Sequence, residues 1–312
     1  KTSAGACSIW PAFLAKPHSA ALDLVGCAAL PQMVDAAQRE DKIMTVDQKT
    51  QSELMRVAHA LADVAGPVTL RHFRTSGLAS DNKKTDGFDP VTIADRGAET
   101  AMRDLLAQLR PDDAILGEEF AKKAGTSGLT WVLDPIDGTR GYISGTPTWG
   151  VLIAVSDAHG PLFGVIDQPY IKERFVGGFG LATVNGPMGQ ATLATRPARM
   201  LSEATVVTTF PEVGSKTEER AFQTVARQAR LTRYGLDCYG YALLAVGQID
   251  LVIEAGLSSY DVQAPIAVVQ AAGGIVTNWQ GGPAHDGGRI IAAANAGVHA
   301  EALAILREFD DD

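Results

Sequence analysis

Leu54, Val57, Leu61 and Val64 recur at three- and four-residue intervals, which puts one apolar stripe on an otherwise polar stretch and predicts an amphipathic helix. Gly66-Pro67 is expected to kink or break it, because proline has no amide hydrogen to donate. Ala98, Met102, Leu105 and Leu109 predict a second helix, closed by Pro111. The apolar runs then become short and bounded by turn residues: AIL before Gly117, WVLD at 131–134, GVLIAVS at 150–156, LFGVID at 162–167 and RFVGG at 174–178. Consecutive strands of this kind predict an antiparallel or mixed sheet. GGFG at 177–180 reads as a strand turn, since no helix follows it. Beyond about residue 200 the pattern alternates: TVVTTF, a charged helix over 218–230, the helix YGYALLAVG, the strand IDLVIEAG, and a helix over 261–272. The chain therefore reads as an α/β (α+β) protein with an N-terminal half, 44–200, and a more regularly alternating C-terminal half, 201–312.

The first 43 residues behave differently. ALDLVGCAALPQMV is apolar but interrupted by Asp23 and Pro31, well short of the roughly 20 apolar residues a membrane-spanning helix requires. This stretch is expected to be a disordered, dispensable leader upstream of Met44, with an organelle-targeting peptide as the alternative. Composition narrows the partners. With 27 Lys+Arg against 36 Asp+Glu the net charge is −9, which disfavours nucleic acid and anionic lipid. Three cysteines without C-x-x-C spacing indicate neither a disulfide framework nor a zinc knuckle, and point to a reducing, cytoplasmic setting. Cys238 reads as a packing residue and the six histidines as scattered surface or core residues.

The candidate chemistry lies in carboxylates at element ends. Glu118 follows AIL, Asp134 ends WVLD, Asp137 comes one turn later, Glu254 ends LVIE and Asp261 opens the next helix. Gathered in one cleft these acids repel one another, and divalent cations resolve the conflict. An all-oxygen ligand set without His or Cys suits Mg²⁺ better than Zn²⁺. Pro135 stiffens the link between Asp134 and Asp137, and Gly138-Thr139 is expected to open a short helix with free amides for an anion. Metal ions beside a helix N-terminus predict phosphate-ester chemistry. Walker A, G-x-S-x-G and H-E-x-x-H are all absent from the sequence, against P-loop NTPases, serine hydrolases and zinc peptidases.

GEE at 117–119, WVLDPIDGT at 131–139, and YD at 260–261 with AAGG following resemble the signature motifs of the inositol monophosphatase family of Mg²⁺-dependent, lithium-sensitive phosphatases; DPVTIAD at 89–95 is similar to a further motif. The resemblance runs from about residue 50 to the C-terminus. It is nearest to the histidinol-phosphate phosphatase branch, through FRT (73–75), GVIDQP (164–169) and LDCYGYALLAVGQIDLVIEAGLSSYD. It implies a layered αβαβα sandwich and, commonly, a homodimer. It also implies two to three Mg²⁺ ions, held by Glu118, Asp134, the Ile136 carbonyl, Asp137 and Asp261. Asp95 and Thr139 would orient the attacking water, with Glu118 also in a catalytic role, and Gly138 and Thr139 amides would bind phosphate. Lys84 is placed near the metal cluster, or is a solvated loop charge.

Substrate choice is expected in the second half. Asp237 and Glu254, with Asp261, would suit the amine and imidazole of histidinol phosphate by charge, whereas a polyol needs only hydrogen bonds. Asp237 and Glu254 are read as acids at strand ends, and Asp261 as an N-cap as well as a ligand. The alternatives are an inositol or broader sugar-phosphate phosphatase, and a regulatory protein-binding member of the family. Two departures from the family pattern stand out: Tyr260, which agrees with the histidinol branch, and Gln263 in place of alanine, with no reason visible in the sequence.

Overall fold

The computed structural model describes residues 46–76, 80–82 and 90–309. The predicted leader, Lys84 and Asp89 lie outside the described residues. The chain from Met44 onward forms one unit.

The first helix, α1 (Gln48–His72), starts where Asp47 accepts the Thr50 amide at 2.8 Å. It does not break at Gly66-Pro67 but continues to His72. Burial of Leu54, Val57, Leu61 and Ala65 along one face outweighs the single amide that Pro67 cannot supply. After β1 (Ser80–Asn82) and its antiparallel partner β2 (Pro90–Thr92) comes α2 (Ile93–Leu109), opened by a Thr92/Asp95 capping box.

A seven-stranded mixed sheet follows in chain order: β3 (Ala114–Gly117), β4 (Thr130–Asp137), β5 (Gly150–Asp157), β6 (Gly160–Gln168), β7 (Glu173–Gly178), β8 (Leu181–Gly186) and β9 (Gly189–Thr192). Only β3 and β4 run parallel within it. Between β4 and β5 lies the short α3 (Thr139–Ser144). Phe179 and Gly180, both at positive φ, make the tight turn from β7 to β8.

The second sheet has the order β11-β10-β12-β14-β13, built from β10 (Thr205–Thr208), β11 (Leu231–Tyr234), β12 (Leu251–Leu257), β13 (Ile275–Asn278) and β14 (Gly288–Ala293). Its helices are α4 (Lys216–Ala226), α5 (Asp237–Ala245), α6 (Ser259–Ala271) and α7 (Ala296–Arg307). The charged helix expected over 218–230 begins earlier because Ser215 and Glu218 form its capping box, and it ends earlier, at Ala226.

Alternation along the strands assigns the layers. Trp131 and Leu133 of β4 pack with α1 and α2, whereas Val132 between them packs with α5 and α6. In β12, Val252 faces α5 and α6, while Leu251 and Ile253 face Phe222 of α4 and Val298 of α7. The result is helix, sheet, helix, sheet, helix: the layered αβαβα sandwich. Sheets covered on both faces also explain why their strands read as continuous apolar runs. Gln263 now has a reason: its buried side chain on α6 bonds Ser156 of β5 and donates to the His285 carbonyl at 3.0 Å.

Candidate active site

Two acids three residues apart on a regular strand point to opposite faces. Asp134 pairs with Leu152 and Asp137 with Gly150, so β4 spends three residues where β5 spends two. That extra residue is a β-bulge, and it returns Asp137 to the side of Asp134. Pro135 is tolerated there because a bulge leaves an amide position out of the ladder. Strand β4 therefore does not end at Asp134, as expected, but runs to Asp137. Carboxylate oxygens of Asp134, Asp137 and Asp261 lie within 4.8 Å of one another. Glu118, one residue beyond β3, lines the same cavity.

Each acid is tethered by a backbone amide. The Ile136 amide donates to Asp134 at 3.0 Å, the Cys238 amide to Asp137 at 2.6 Å and the Ser258 amide to Asp261 at 2.6 Å. Asp261 is thus the third residue of a capping box whose N-cap is Ser258, and not itself the cap. Burial, followed by the neighbouring charges of Glu118, Asp137 and Asp261, raises Asp134 well above the usual carboxylate range. Asp137 is raised in the same way by burial, Asp261 and Asp237.

Gly138 has φ +86° and precedes α3. A Cβ built there falls 2.9 Å from Asp237 Cβ, so glycine is required by backbone and by space alike. Thr139 Oγ1 lies 3.1 Å from the Ile136 carbonyl and 3.5 Å from Asp95 Oδ1. The other Asp95 oxygen takes the Thr92 amide at 2.8 Å and the Thr92 hydroxyl. Burial pushes Asp95 up to about 6, against the lowering pull of Thr92.

The cavity, about 340 Å³, is lined by every sequence-predicted site residue except Asp95, which sits buried behind Thr139. Asp237 does not end a strand; it is the first residue of α5, at φ +45°. Burial raises it to about 6, with the Arg140 charge pulling it down. Glu254 lies at a second bulge, between Glu254 and Leu257 of β12. It accepts from the Thr209 amide at 2.7 Å, the Thr209 hydroxyl at 2.9 Å and the Thr208 hydroxyl at 3.2 Å. Burial carries it up to about 7.

Sequence reading missed Thr208 and Thr209, whose pairing with Glu254 has no local signal. It also missed Phe210, whose ring lies 4.6 Å from the Arg140 guanidinium at the same cavity, and Tyr241, whose buried hydroxyl has no hydrogen-bond partner among the described residues. A larger groove of about 620 Å³ runs between α1 and β7–β8. There Arg174 pairs with Asp167 at 2.6 Å and with Asp63 at 2.9 Å, and among the described residues the groove gathers no group of three metal-ligating side chains. The smaller cavity is the candidate site.

Residues 50–310 match the model of the inositol monophosphatase family. The chain belongs to the inositol monophosphatase family. It is 40% identical over 262 residues to the chloroplastic bifunctional phosphatase IMPL2 of Arabidopsis thaliana, covering 80% of this chain and 74% of that protein. To a histidinol-phosphatase of Streptomyces coelicolor it is 34% identical, covering 81% of this chain and 97% of the other. The solved structure of an inositol monophosphatase from Zymomonas mobilis superposes with a TM-score of 0.73 at 39% identity, over 84% of this chain and all of that one. Membership makes the chain a phosphatase of this family, a family that is typically metal-dependent. The acidic cluster fits that dependence. Its donors are all hard oxygens, and mutual repulsion of Asp134, Asp137 and Asp261 in a buried site is relieved by a cation. Among the described residues, no helix is long and apolar enough to cross a membrane.

Proposed function

We propose that this family member is a Mg²⁺-dependent histidinol-phosphate phosphatase, releasing histidinol and orthophosphate. The observation that carries the reading is one cavity lined by the Asp134, Asp137 and Asp261 cluster together with two further acids, Asp237 and Glu254. The relatives named histidinol-phosphatase support it. Glu118, Asp134, the Ile136 carbonyl, Asp137 and Asp261 would hold two to three Mg²⁺ ions. When bound, the ions supply positive charge to the phosphoryl oxygens and to the leaving alkoxide.

The chain's own residues do the rest. The Gly138 and Thr139 amides at the start of α3 bind phosphate oxygens. Thr139 Oγ1, already set between the Ile136 carbonyl and Asp95 Oδ1, accepts from the attacking water and passes its proton toward Asp95. Asp95, raised to about 6, is ionised at neutral pH yet basic enough to take that proton. Water attacks phosphorus as its proton passes to Asp95, the ester P–O bond breaks, and the leaving alkoxide takes a proton from solvent water to depart as the alcohol. Glu254, held by three donors from Thr208 and Thr209, presents a fixed carboxylate to a substrate cation, and Asp237, beside Gly138, a second. A neutral polyol gains nothing from ionising Glu254, whereas an amine repays that cost.

A second reading, inositol-phosphate phosphatase, is favoured by the 39% identity to the Zymomonas mobilis inositol monophosphatase. Phosphate release from histidinol phosphate and from inositol 1-phosphate, with Mg²⁺ and with added Li⁺, separates the two. The expected result is a clear preference for histidinol phosphate in kcat/KM, and inhibition by Li⁺. Equal or reversed preference overturns the histidinol assignment.

A further inference from the structure

Glu99 is a fully buried carboxylate on α2 that no role above uses. It lies one helical turn after Asp95, so both project from one face of α2. Oε2 accepts the Glu119 amide at 2.7 Å, and Oε1 accepts from Arg103 Nε at 2.7 Å. Arg103 Nη2 in turn donates to the Phe120 carbonyl at 3.1 Å. The backbone on the other side is also tied, with the Glu118 amide donating to the Leu133 carbonyl at 3.2 Å. Gly117 is shaped to this carboxylate: a Cβ there would fall 2.0 Å from Glu99 Oε1. Burying an ion pair is costly unless each charge is matched, and here Glu99 and Arg103 match one another while their remaining bonds end on the turn that carries Glu118.

We propose that Glu99 and Arg103 are positioning residues that clamp the 117–120 turn and so hold Glu118 in register with Asp134, Asp137 and Asp261 for cation binding. One helix would then set both loops of the site: Asp95 faces Thr139, and Glu99 grips the turn beside Glu118. The inference rests on the metal reading of the acidic cluster.

Calorimetric titration of metal-free full-length chain with Mg²⁺ alone tests it, on the native sequence and on Glu99→Gln, Gly117→Ala and Arg103→Lys. Glu99→Gln removes the charge; Gly117→Ala keeps it but displaces the carboxylate; Arg103→Lys is the mild variant that keeps the fold and loses the fork to Phe120. The expected result is Kd for Mg²⁺ raised about tenfold in the first two and about threefold in the third, with kcat at saturating Mg²⁺ within a factor of three of the native value. Unchanged Kd in all three, whatever happens to Tm, overturns the clamp, as does a kcat loss that saturating Mg²⁺ does not restore. A native chain that takes up no Mg²⁺ overturns the metal reading itself, and the clamp with it.

Discussion

Replacing Glu254 by Gln is expected to stabilise the protein at alkaline pH while damaging its substrate choice. The side chain is buried, and burial pushes the carboxyl from its ordinary 4.5 up to about 7. Asp237 adds to the rise, and the Thr208 and Thr209 donors oppose it. An acid raised on folding contributes its stability fully below its unfolded value near 4.5, and that contribution is lost as pH climbs through about 7. At pH 8 the native chain therefore carries a penalty on the order of 3 kcal/mol, at 1.36 kcal/mol per pKa unit. Glutamine has nearly the same shape and no charge. Its oxygen keeps the two Thr209 donors, and its amide donates to the Thr208 hydroxyl, which rotates to accept, so no buried group is orphaned. Allowing about 1 kcal/mol for imperfect replacement, a net gain of about 2 kcal/mol remains at pH 8, or roughly 4–8 °C in Tm. At pH 4.5 the gain vanishes. Thermal melts of both proteins from pH 4.5 to 8.5, without metal, read the difference directly. A Tm difference that is independent of pH, or a loss at pH 8, refutes the reasoning. In turnover, the same variant is expected to raise KM for histidinol phosphate about tenfold and leave the phosphate monoester of an uncharged alcohol unaffected.

Asp134→Asn is expected to cut turnover about a thousandfold or more while raising the Tm of metal-free protein, because one of three crowded carboxylates is gone; activity retained, measured by phosphate release, refutes the ligand role. Gly138→Ala should cost about 1–2 kcal/mol for left-handed backbone alone, read in urea, and should weaken inhibition by inorganic phosphate because the start of α3 is pushed away from Asp237. Gln263→Leu leaves Ser156 and the His285 carbonyl without their buried partner and should cost about 2–4 kcal/mol in urea unfolding, with kcat nearly unchanged, since the side chain lies outside the cavity lining.

Much of this protein is written locally. Of the cluster acids and Glu118 beside them, Glu118, Asp137 and Asp261 stand at or beside element ends and Asp134 stands just before Pro135, and the all-oxygen donor set follows from their identities. The five layers were legible only through the family resemblance; the folded chain has them, and its strands read as continuous apolar runs because helices cover both sheet faces. Other features belong to the tertiary structure alone. The register shift that brings Asp137 to the side of Asp134 is set by pairing with β5. The partners of Glu254 come from the last residue of β10 and the residue after it, 46 and 45 residues away, and the grip of Glu99 on the 117–120 turn closes only when α2 packs beside β3 and β4. Helix α1 passes through Gly66-Pro67 because its neighbours bury it. Periodicity states which way a side chain points within an element, but the hydrogen-bond partners of strands, bulges and buried carboxylates are chosen by segments distant in sequence. That is why the chemistry was legible from residues 117–139 and 260–261, while its geometry, and the environment that selects the substrate, required the folded chain.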